Sequence, residues 1–210
     1  MTIPQWLDWA QKLQAIAQTG LNYNPQPFDQ QRYEAVMEIA AQMLAANGNA
    51  DSTTLKTLYE AQSGHATPKI DVRGVVFRGD KILMVQEKLD GNRWTLPGGW
   101  ADIGESASVS AVREVYEESG YRVRAVKLLA LYDRNKHPHP PFAFHAYKAF
   151  FLCNLLSDIR EPDPRNIETG GVAFFGEDEL PELSVTRVTP GQIARFFEHH
   201  RNPDLPTDFD

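Results

Sequence analysis

The stretch GWADIGESASVSAVREVYEESGY, Gly99 to Tyr121, decides how this chain is read. Ala107, Ala111, Val112 and Val115 recur at helical spacing and predict an amphipathic helix over Ser106 to Ser119, with Gly120 where a C-terminal cap belongs. Glu114, Glu117 and Glu118 fall on the opposite face, so three carboxylates are expected to crowd one exposed patch. Like charges at this spacing repel, and Arg113 can neutralise only part of the cluster, so it calls for a further cation. With no sulfur or imidazole beside them, these oxygens suit a hard ion, Mg²⁺ or alternatively Mn²⁺, better than zinc. Taken alone, EVYEES would read as a solvated acidic face. The context changes that, because Pro97-Gly98-Gly99 permits close backbone approach and the loop WADIG delivers a fourth carboxylate, Glu105, to the helix start.

Downstream, strands are expected at Arg122–Leu131, Phe144–Leu152 and Val172–Phe175, before a last helix opened by the capping box Thr189-Pro190-Gly191-Gln192. Upstream, Ile70, Val72 and Val76 alternate with polar residues or glycine, and Gly79-Asp80 turns the chain into KILMVQEK, a hairpin. A short strand at Trp94 to Leu96 leads into the Pro97-Gly98-Gly99 turn. Before residue 66 the period is helical throughout. One helix carries Trp6, Trp9, Leu13 and Ile16 and ends at Gly20; a second is capped by Asp29; a short third begins at Ser52. The linker SGHATPK marks the change, giving a helical domain over 1–65 and a second domain over 66–205. Strands interleaved with helices make the class α+β, a mixed sheet between helices behind a small all-α N-terminal domain.

Lys and Arg number 21 against 28 Asp and Glu, a net charge of −7, which disfavours nucleic acid and anionic lipid as partners. The N-terminus has no signal-peptide pattern and no stretch is apolar enough to span a bilayer, so a cytoplasmic protein is expected. Cys153, the single cysteine, follows Phe150-Phe151-Leu152 and reads as a buried small hydrophobe.

Gly99, Glu105 and the run Arg113-Glu114-Val115-Tyr116-Glu117-Glu118-Ser119-Gly120 resemble the signature of the Nudix hydrolases at every charged and glycine position. Tyr121 departs from it, standing where the family usually has an aliphatic residue. The surrounding pattern is similar to the Nudix α/β/α sandwich over about residues 68 to 200. The resemblance implies metal-dependent hydrolysis of a nucleoside diphosphate linked to a group X, with water as nucleophile. It implies Glu114, Glu117 and Glu118 as metal ligands, Gly99 as a carbonyl ligand, Arg113 as the residue orienting them, and Glu105 beside them. Glu114, Glu105 and, outside the motif, Glu168 are candidates for the general base. The helical domain, with WLDWAQKLQAIAQTGL, resembles that of a Nudix subgroup associated with CDP-choline and ADP-ribose-type substrates, which implies a homodimer through or near it.

Between two expected strands, Asp133 to Pro141 forms a locally basic loop, making Arg134 and Lys136 candidates for gripping a small nucleotide substrate. Tyr132 is a candidate for base stacking, although strand aromatics more often serve packing. His137 and His139 suggest a metal site at first sight, against the oxygen preference of Mg²⁺. Two other functions compete: a Nudix-fold sensor that binds a nucleotide-sugar without cleaving it, and a hydrolase acting on RNA 5′ ends.

Overall fold

The structure, a computed structural model, describes residues 3–48, 50–164, 166–167 and 169–210. Two compact units emerge: Met1–Lys69 with Pro141–His145, and Ile70–Pro140 with Ala146–Asp210.

The first unit holds α1 (Gln5–Asn22), α2 (Pro27–Ala45) and α3 (Ser52–Glu60). Leu7, Ala17, Met37, Ala40, Ala41, Leu44, Leu55 and Tyr59 form its core. Two expected boundaries move. Gly20 does not end α1; a Cβ there would lie 2.4 Å from the Tyr33 ring, so the glycine lets α1 and α2 approach closely. Asp29 does not cap α2, which starts two residues earlier because Pro27 has no N–H to satisfy and a φ suited to the first turn. Asp29 instead pairs with Arg32 at 2.6 Å. Trp6 and Leu13 pack onto the core, whereas Trp9, Ile16, Tyr23 and Phe28 stay exposed.

The second unit is built on β1 (Lys69–Arg78), β2 (Lys81–Glu87), β3 (Arg93–Thr95), β4 (Gly98–Trp100), β5 (Tyr121–Asp133), β6 (Ala146–Arg160), β7 (Thr169–Phe175) and β8 (Asp208–Phe209). The sheet order is β3-β2-β1-β6-β5-β8, with β4 on β1 and β7 on β2. β8 runs parallel to β5, whereas β1–β2, β2–β7 and β5–β6 are antiparallel, so the sheet is mixed. Two helices complete the unit, α4 (Ala107–Ser119) and α5 (Pro190–Arg201). Val75, Ile82 and Met84 join Ile193 and Phe196 of α5 in one cluster, while Val76 and Leu83 join Val115 of α4 in another. Neighbouring strand residues point to opposite faces, so α4 and α5 cover opposite sides of the sheet and the class is α+β.

β1 does not follow the half-exposed alternation expected of it. Asp71 and Arg73 are buried and Ile70 is exposed, because β1 is a central strand covered on both faces. Tyr121 has a packing explanation: its ring meets Phe174 edge-on at 5.5 Å, and the Arg78 guanidinium lies over both rings. Among the described residues no helix is long and apolar enough to cross a membrane.

Candidate active site

The site forms where α4 passes over β1 and β4. Ser106 caps the helix by accepting the Val109 N–H, and Gly120 ends it in a left-handed conformation at φ 76°. Gly74 on β1 allows the close approach, since a Cβ there would lie 2.2 Å from Val115 Cγ2. Glu114 and Glu118 are therefore held against Gly99 and Gly98.

They do not share one exposed patch. The carboxylate end of Glu117 is partly open to solvent and Glu114 is more covered, while Glu118 retains only 6% exposure. Glu118 Oε2 accepts the Gly98 N–H at 2.9 Å. Burial pushes its pKa up to about 8, against the opposing pull of the Arg73 charge and the Gly98 hydrogen bond. Among the described residues no lysine or arginine pairs with it directly. The Glu114 carboxyl packs on Gly99, where a Cβ would lie 3.2 Å from Oε1; burial raises its pKa and the Arg113 charge opposes that rise.

Arg113 grips more than expected. Its Nη1 donates to Glu114 at 3.0 Å and Glu117 at 2.9 Å, and its Nε donates to Glu105 at 3.1 Å. Nη2 stands 2.9 Å from Asp102 Oδ2, close enough for an ion pair but off the hydrogen-bond axis. Burial works against the Arg113 charge, yet the bonds to Glu105 and Glu117 and the Glu114 charge outweigh it and hold its pKa above the ordinary value. The Glu105 pKa is lowered, by the Ser110 hydroxyl first and Arg113 second. With Glu114 and Glu117 turned onto Arg113, the described side chains do not form a closed three-carboxylate cage.

The donor set still fits a hard divalent cation. It is all oxygen, and Glu118 is a buried carboxyl held by one main-chain N–H. Glu114, Glu117 and Glu118 line a cleft of about 370 Å³ together with Arg113, Asp163, Asn166 and Ile167.

Asp71 and Arg73, unmarked in the sequence reading, support the turn from below. Arg73 makes a bidentate pair with Asp71 at 2.9 and 2.8 Å and donates from Nη1 to the Leu96 carbonyl at 3.1 Å. Lys148 Nζ donates to Asp71 Oδ1 at 2.7 Å. Two charged residues among the valines of a central strand were the available signal. Asp163 and Asn166 fall in the stretch EPDPRNIE, whose sequence pattern gave none.

Among the substrate-binding candidates, Arg134, Lys136 and Tyr132 are not among the residues that line this cleft. Arg134 is buried at 6% exposure, and burial draws its pKa down to about 10, with Asp71 opposing. Lys136 is exposed in the same 3-10 turn. Tyr132 belongs to the core beneath α5 and donates its hydroxyl to Asp208 at 3.1 Å. His139 is engaged by the Val185 carbonyl at 2.7 Å and by Gln192, and His137 packs on Tyr132 near Asp210. Glu168 lies outside the described residues.

Comparison with known proteins agrees with this geometry. Residues 67–196 match the NUDIX domain, and residues 4–59 match a domain described as UDP-X-like, N-terminal oligomerisation. The chain belongs to the Nudix hydrolases and is a pyrophosphohydrolase of that family. It is 44% identical over 206 residues to YjhB of Bacillus subtilis (strain 168), provisionally named an ADP-ribose pyrophosphatase, covering 98% of this chain and 97% of that protein. A solved ADP-ribose pyrophosphatase from Streptococcus suis is 40% identical with a TM-score of 0.61, over 69% of this chain and 100% of that one. A solved UDP-X diphosphatase is 30% identical with a TM-score of 0.61, over 100% of both chains.

Proposed function

We propose that this chain hydrolyses the diphosphate linkage of a nucleoside diphosphate joined to X, with ADP-ribose as the preferred member, releasing a nucleoside monophosphate and phosphorylated X. The observation that carries the reading is the Glu118 carboxylate, buried beside Glu114 and aligned by the Gly98 N–H at the floor of an open cleft. Its near-full-length likeness to YjhB supports ADP-ribose over CDP-choline.

Glu114, Glu117 and Glu118, with the Gly99 carbonyl, would hold Mg²⁺ or Mn²⁺. Such an ion neutralises diphosphate charge and acidifies a bound water. The chain's own contribution is orientation. Arg113 fixes Glu105, Glu114 and Glu117 relative to one another, and Glu105 or Glu114 would accept the proton from water. Oligomerisation through the helical unit belongs to the same reading as a homodimer, supported by the exposed apolar residues Trp9, Ile16, Tyr23 and Phe28.

The test is product formation from ADP-ribose, CDP-choline, UDP-linked sugars, NADH and capped RNA, with and without Mg²⁺. AMP and ribose 5-phosphate should form fastest, and only with the metal. Faster release from capped RNA, or binding of every compound without cleavage, would overturn the proposal. Light scattering at micromolar concentration should give twice the monomer mass, and a monomeric mass would refute the dimer.

A further inference from the structure

The end of α4 leaves carbonyls without helical partners, and side chains reach two of them, those of Ser119 and Glu118. Gly120 N–H returns to Tyr116, Arg160 Nε donates to the Ser119 carbonyl at 2.8 Å, and the Glu118 carbonyl receives two side chains. Asn166 Nδ2 donates to it at 3.0 Å and Thr169 Oγ1 at 2.9 Å, using both of its lone pairs. The two donors are also tied to each other. Asn166 Nδ2 donates to Thr169 Oγ1 at 2.6 Å, and Asn166 Oδ1 accepts the Thr169 N–H at 3.1 Å. Thr169 is 6% exposed and opens β7, where it pairs with Glu87 of β2, so the ring is anchored to the sheet at its buried end. Glu118 is thereby held at both ends, its carboxylate by Gly98 and its carbonyl by Asn166 and Thr169. Asn166 also lines the cleft that Glu118 faces.

We infer that Asn166 and Thr169 are positioning residues that set where the Glu118 carboxylate stands, coupling the loop before β7 to the metal-binding end of α4. The inference rests on Glu118 being a metal ligand. Outer partners of a ligand fix its orientation, so losing one weakens metal binding even when the ligand itself is intact.

The experiment titrates Mn²⁺ alone into the full chain, read by electron paramagnetic resonance, for wild type, Thr169→Val, Thr169→Ser, Asn166→Ala and Glu118→Gln, with thermal melts beside it. Thr169→Val and Asn166→Ala should weaken Mn²⁺ binding about tenfold, while Thr169→Ser stays within about twofold of wild type. Raising Mn²⁺ should restore kcat in Thr169→Val with the nucleotide KM little changed. If Thr169→Val and Asn166→Ala lose melting temperature but bind Mn²⁺ like wild type, while Glu118→Gln does not, the clasp is only a helix cap and the inference fails. If Glu118→Gln also binds Mn²⁺ like wild type, the assignment of Glu118 as a ligand fails with it.

Discussion

Glu118 Oε2 accepts the Gly98 N–H across 2.9 Å, tying the last turn of α4 to the first residue of β4. Glutamine at position 118 keeps an oxygen for that bond but carries no charge. Glu118→Gln should therefore lower turnover at least about 100-fold. Its melting temperature should hold or rise, because burial raises the Glu118 pKa and folding near neutral pH must therefore take up a proton that glutamine does not need. Full activity in the variant would remove Glu118 from the metal site.

Gly74 and Val115 leave no room between β1 and α4 for a methyl group. Gly74→Ala should destabilise the chain by about 1–3 kcal/mol in urea unfolding. Because the displaced helix carries the glutamates, activity should fall further than stability at 25 °C. A variant with wild-type kcat would show that the helix position tolerates the shift.

Arg113 contacts carboxylates in three directions, a geometry that a lysine ammonium on its flexible stem does not reproduce. Arg113→Lys should keep the fold by circular dichroism yet reduce kcat/KM about 10- to 100-fold. Wild-type kinetics would mean that charge alone, without the planar fork, is sufficient.

Asp208 joins β8 to α5 through Arg195 at 2.6 and 2.8 Å and His199 at 3.1 Å. Its carboxyl is held well below the usual range, by the Arg195 hydrogen bonds first, with burial opposing and His199 and Tyr132 assisting. A depressed folded-state pKa contributes stability above the ordinary aspartate value of 3.8, and that stability is lost as pH falls through the folded-state value. Asp208→Asn should cost about 2 kcal/mol at pH 7. Its gap from wild type should close as pH falls below about 4. A gap independent of pH would place the effect in packing rather than charge.

The motif helix, its caps and the capping box at Thr189 and Gln192 were legible because they depend on residues a few positions apart. The reversal in β1 was not, since alternation says which residues share a face but not that both faces are covered. Nor was the burial of Glu118 beside a more open Glu117. Helical spacing put them on one face, whereas the contact with Gly98 depends on where β4 lies. β8 is two residues long and pairs with a strand some 80 positions earlier, beyond the reach of any local pattern. Asn166 and Thr169 act through a carbonyl, which every residue has, so their side chains gave no hint of it.

The Arg113 fork gives the acidic cluster a counterion of its own, carried in the polypeptide. In a small zinc domain the free energy of metal binding is the free energy of folding, so the chain stays unfolded until the metal arrives. Here the repulsion among Glu105, Glu114 and Glu117 is already offset within the fold. Folding would then not wait for the metal: the scaffold would assemble first and take up its ion afterwards, with free divalent cation setting turnover and leaving the architecture unchanged.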